Sequence, residues 1–223
     1  MRFYNPAGEL DGEPLARTYE QDVAMVLSVL QCVLDGEPAV LASCELTTGR
    51  RLFHLLRAQG LSDAAGLQTL LGESEIRRVL LEPNLRGAGE FAEELRRRLG
   101  PGQVVVNPAA FAAPGWRGTH YQAFWETLIR SRFEAVHFSH DWQYSNGCVF
   151  ELAVALDADV PSFDSTGAPL GLDRGVDLVS EALAEVEAQG LADGGLREGR
   201  DRLLQLRQLR LGARGADAVQ LSR

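Results

Sequence analysis

Apolar residues recur at helical spacing over Thr18–Leu34, where Val23, Val26, Leu27, Leu30 and Val33 form one stripe, and Gly36-Glu37-Pro38 stops the run. The period returns in Arg50–Ala58 through Leu52, Phe53, Leu55 and Leu56, then in Glu90–Leu99. It appears again in His120–Arg130 through Tyr121, Phe124, Trp125 and Leu128, and in Cys148–Leu156 through Val149, Leu152, Ala153 and Leu156. Short β-rich runs lie between the later helices: Arg78–Leu81, Gln103–Val106, Glu134–Phe138 and an extended start at Val160-Pro161. Ala39–Cys44 is compatible with a strand, and Thr47-Thr48-Gly49 with a cap on the helix that follows. Strand–helix alternation from Ile76 onward predicts an α/β fold, a parallel sheet covered by helices. The expected division is a mainly helical N-terminal elaboration over 1–74, opened by the turn-rich stretch 1–17, and an α/β domain over 75–223. That domain closes with helices at Val176–Gln189 and Leu196–Leu211, and the last dozen residues look frayed. The apolar stripes of Thr18–Leu34 and Leu196–Leu211 need cover, so a homo-oligomer is expected.

Ligands of parallel sheets sit beyond the carboxyl ends of the strands. Three loops are expected there: Pro83–Gly89, Asn107–Thr119 and Ser139–Glu151. The first carries Arg86 and Gly87, the second Trp116 and Arg117, and the third His140, Asp141, Ser145, Asn146, Gly147 and Glu151. Glycine lets backbone amides approach a ligand, and a helix N-terminus attracts anions.

Charge narrows the partners. The 223 residues carry a net charge of −9, and all 22 basic residues are arginines scattered among 31 acids. A nucleic-acid surface is therefore not expected, while a small anionic ligand stays open. Cys32, Cys44 and Cys148 make neither a disulfide framework nor a CxxC metal site, which fits free thiols in a reducing cytoplasm; no metal or cofactor is implied. No apolar run approaches the ~20 residues of a membrane helix.

Ser145-Asn146-Gly147-Cys148-Val149-Phe150-Glu151 has the S-x-G-x-x-x-E spacing of nucleoside 2-deoxyribosyltransferase-like proteins, and it most resembles the branch that hydrolyses nucleoside 5′-monophosphates. Leu85-Arg86-Gly87 after a strand, then a helix and Val104-Val105-Val106-Asn107-Pro108, is similar to the opening unit of that family. The resemblance spans about residues 76–165. It departs at Leu81-Glu82-Pro83, where the family has a glycine-containing turn, and at Glu134, where an Asp is common. It implies a 2-deoxyribosyltransferase-like fold of flavodoxin/Rossmann-like topology that binds a nucleoside or nucleotide and attacks C1′ of the sugar. Glu151 would be the nucleophile, and Arg86, Gly87, Ser145, Asn146 and Gly147 would surround the ligand. Outside the resemblance, Asp141 is a candidate to orient the sugar or base or else caps a turn, and Trp116, in a loop, is a candidate to stack on the base. Ser145, where enzymes of free nucleosides carry an acid, favours a 5′-monophosphate, because a carboxylate would repel the phosphate. The alternative is a non-catalytic nucleotide-binding or regulatory module on the same fold.

Overall fold

The computed structural model describes residues 19–113, 115–192 and 194–220; the expected turn-rich stretch 1–17 lies outside them, as does Pro114 of the second expected loop. After α1 (Tyr19–Val33) the chain enters β1 (Ala39–Ser43), whose five small or aliphatic residues are all buried. Such a run suits a central strand covered on both faces. β2 (Val104–Val106), β3 (Phe133–Phe138) and the two-residue β4 (Ser162–Phe163) complete a four-stranded, all-parallel sheet in the order β2-β1-β3-β4.

Helices cover both faces. α2 (Arg50–Ala58), α3 (Ala64–Ile76) and α4 (Glu82–Leu99) connect β1 to β2; α5 (Gly118–Ser131) leads to β3, and α6 (Asn146–Asp157) to β4. α7 (Leu172–Ala188) and α8 (Gly194–Gln220) follow. Strand alternation divides the core. Val40 and Ala42 of β1 meet Ala92 and Leu95 of α4, while Ala39 and Leu41 join the larger cluster with Phe124 of α5 and Leu152 of α6. Among the described residues no helix is long and apolar enough to cross a membrane.

Four expectations are corrected. Arg78–Leu81 is not a strand: it belongs to a π-helical turn, Arg77–Leu81, that joins α3 directly to α4. A short apolar run without alternation is compatible with either state, and length and context decide it. The expected loop Pro83–Gly89 lies inside α4, because Pro83 falls in the first turn of that helix, where a missing N–H is tolerated. Finally, β1 comes from the expected N-terminal elaboration yet pairs with both β2 and β3, so the sheet straddles the expected 74/75 division. At the other end, α8 continues to Gln220 through most of the segment expected to fray.

α6 is buried almost all round, with Cys148, Val149 and Glu151–Leu156 inside. α8 crosses it through two glycines: a Cβ on Gly195 would stand 2.2 Å from Asn146 Nδ2, and one on Gly199 2.4 Å from Val149 Cγ1. Val149 has no exposed surface and little room to yield. Gly199→Ala should therefore lower stability by about 1–3 kcal/mol in urea unfolding, although alanine is the better helix former. A gain of about 1 kcal/mol would show that α8 does not pack on α6 in this way.

Candidate functional site

The strand order creates the site. The chain leaves β1 for β2 on one side and later places β3 on the other, so the loops that follow β1 and β3 part at the point where the winding reverses. These loops are Cys44–Gly49 and Ser139–Ser145. Ser139 N–H donates to the Ser43 carbonyl at 3.0 Å, which keeps the two strand ends side by side.

Ser145 caps α6, its Oγ accepting the Cys148 N–H at 3.5 Å. Thr48 closes the gap between the loops: its Oγ1 accepts the Asn146 N–H at 3.1 Å and lies 3.4 Å from Ser145 Oγ. Two turns into α6, Glu151 points at the sheet. β1 places Ser43 on the same face as Ala39 and Leu41, and Ser43 Oγ donates to Glu151 Oε2 at 2.5 Å. Burial disfavours the carboxylate and pushes the Glu151 pKa up to about 7, with the Ser43 hydrogen bond partly opposing it. Burial also pushes the Cys44 thiol up to about 12 and the Cys148 thiol well above its ordinary value. Both cysteines thus stay protonated at neutral pH and are poor nucleophiles.

Outside this buried layer lies a cleft of about 490 Å³ between the strand ends and α4. Glu45, Ser139 and His140 line it from the loops, and Gly87, Glu90 and Glu94 from α4. Cys44 stands at its inner wall, raised by the charges of both Glu151 and Glu45. Asn84 holds the first loop to α4, its Nδ2 donating to the Leu46 carbonyl at 2.8 Å and its Oδ1 accepting from Arg51 Nε at 3.1 Å. Arg50 ties both loops to α7. Its Nη2 donates to Tyr144 OH at 2.6 Å, its guanidinium lies 4.4 Å above that ring, and Asp141 and Glu185 approach at 3.5 and 3.6 Å.

The expected site residues are only partly brought together. Ser145 and Glu151 flank the reversal point, Gly147 is exposed in the first turn of α6, and Gly87 reaches the cleft from α4. Asp141 sits in a left-handed conformation, φ 61°, with its carboxylate on Arg50 and on His140 Nδ1 at 3.2 Å. Asn146 turns toward α8 and meets Gly195. Arg86 is exposed on α4, since the loop it was expected to occupy is helix. Trp116 is buried among Phe111, Tyr121 and Phe124, with ring centroids 5.2–5.6 Å away, and belongs to the core. Ser43, Glu45, Thr48 and Arg50 were missed; the fully apolar run before Ser43 and the Thr-Thr-Gly cap signal were the pointers to that loop. Among the described residues no group of three His, Cys, Asp or Glu could hold a metal ion.

Comparisons with protein-family models, with curated proteins and with solved structures find no match.

Burial raises the folded pKa of Glu151 above its ordinary 4.5, so the folded state holds this proton more tightly than the unfolded chain. The associated stability is complete below about pH 4.5 and is lost as pH rises through about 7. Relative to Glu151→Gln, the wild type should lose on the order of 3 kcal/mol of unfolding free energy between about pH 4 and about pH 8. Parallel stability curves for the two proteins would contradict the raised pKa.

Proposed function

We propose that this protein cleaves the N-glycosidic bond of a nucleoside or nucleoside 5′-monophosphate, with Glu151 as the nucleophile. The observation that carries this reading is the Glu151 carboxyl itself, buried where the sheet winding reverses and held there by Ser43. With a pKa of about 7, a large fraction of Glu151 is ionised at neutral pH while its oxygens stay shielded from bulk water. A carboxylate oxygen attacks C1′, the C1′–N bond breaks with its electron pair moving to the base, and the base takes up a proton from solvent or a neighbouring acid. Water, or a second base, then attacks C1′ of the glycosyl ester and returns the carboxylate. Glu151 is only 8% exposed, so a sugar reaches it after the Cys44–Gly49 loop shifts outward.

A second reading, a binding module without turnover, is favoured by one feature: Glu151 is buried and is not among the residues that line the cleft. One experiment separates the two. Purified protein incubated with nucleosides and their 5′-monophosphates should release free base, and Glu151→Gln should reduce the rate roughly a thousandfold or more while the chain stays folded. Full activity in Glu151→Gln would reject the nucleophile. Absence of release from every substrate, with one of them raising the melting temperature, would select the binding module.

A further inference from the structure

The loop Cys44–Gly49 is held differently on its two sides. Toward α4 its polar atoms are matched: buried Asn84 donates to the Leu46 carbonyl and accepts from Arg51 Nε, and Glu45 folds the loop back on α2 by accepting the Arg50 N–H at 3.0 Å. The loop and the start of α2 are thereby one body tied to α4. Toward α6 and α7 the loop meets Asp141–Asn146 and Glu185 along a seam of polar side-chain contacts. Thr48 Oγ1 accepts the Asn146 N–H, and Arg50 spans Tyr144, Asp141 and Glu185. This seam is the weaker side. The Arg50 and Glu185 side chains are 38% and 47% exposed, so water screens their pairing. Arg50 Nε, 3.5 Å from Asp141, is shut off from water without a hydrogen-bond partner among the described residues, a cost that hydration relieves when the seam parts.

Behind the seam lies Cys148, 1% exposed. Ser145 Oγ, 3.4 Å from Thr48, caps its N–H, and Ser43, the donor to Glu151, also reaches its thiol. We propose that the loop Cys44–Gly49 is a latched lid with Thr48 and Arg50 as its two clasps, parting from Asp141–Asn146 while the Asn84 anchor holds, and that the closed lid shuts off the Ser43–Glu151 layer. Glu185 makes the latch answer to the placement of α7. The lid does not depend on the chemistry of Glu151, so it stands or falls separately from the N-glycoside reading.

The test is thiol labelling of the full-length chain by N-ethylmaleimide in increasing urea at fixed pH, read residue by residue by peptide mass spectrometry. Exposed Cys32 reports the reagent's own rate, and buried Cys148 reports opening. In wild type Cys148 should be labelled at least tenfold faster than global unfolding allows. Its rate should be nearly flat in low urea, the mark of a local opening that exposes little surface. Arg50→Met and Thr48→Val should each speed this labelling a further tenfold or more beyond what their loss of global stability explains. Arg96→Met, which removes contacts to Glu93 and the Val105 carbonyl away from the seam, should change it less than threefold after the same correction. Labelling of Cys148 that follows global unfolding at every urea concentration would overturn the lid, as would clasp variants that shift the rate no more than Arg96→Met. A response in only one of the two variants would reject the other residue as a clasp, and with it the two-clasp latch.

Discussion

One hydrogen bond, from Ser43 Oγ to Glu151 Oε2, joins residues 108 positions apart and fixes the relation between the central strand and the most buried helix. A carboxyl taken out of water is costly unless it is protonated or well hydrogen-bonded, and among the described residues this one has Ser43 as its side-chain donor. Its raised pKa is the direct result. The geometry leaves little freedom: strand alternation sends Ser43 to the α6 face, and a slip of one residue would turn it to the α4 face. α6 cannot retreat either, since α8 lies against it through Gly195 and Gly199.

The site is built in two layers around that bond. Inside are Glu151, Ser43, Ser145 and the protonated thiol of Cys148; outside is the acid-lined cleft under α4, with the protonated thiol of Cys44 at its wall. The loop Cys44–Gly49 separates them, pinned by Asn84 to α4 and by Thr48 to the start of α6. The Arg50 network adds a third anchor through Tyr144 and Glu185. Tyr144 reports both influences, with burial and Glu185 raising its pKa and Arg50 lowering it. Any motion that admits a ligand to Glu151 must release part of this set. The α7 contact therefore ties the accessibility of the site to the C-terminal helices.

The sequence made the layers legible and left the order of the strands obscure. Helices with clean amphipathic periods, such as His120–Arg130 and Cys148–Leu156, lie close to where the pattern puts them, and Ser145 caps the second as a Ser before an apolar run should. Arg78–Leu81 misled because four residues hold too little periodicity to separate strand from helix, and Pro83 reads as a breaker although the first turn of a helix accepts it. That single misreading moved Arg86 and Gly87 to a strand end and hid the loop after Ala39–Ser43, where Glu45 and Thr48 stand. Trp116 shows a different limit. An aromatic residue in a loop is equally suited to a ligand or to a core, and here three neighbouring rings enclose it.

The protonation state of Glu151 carries the account, and it can be observed directly. Carbon-13 NMR of side-chain carboxyls across a pH titration, with Glu151→Gln used to assign the resonance, should show Glu151 titrating near 7, well above the ordinary glutamate value of 4.5. Titration of Glu151 near 4.5 would mean that its carboxyl is solvated, and the buried site described here would not exist.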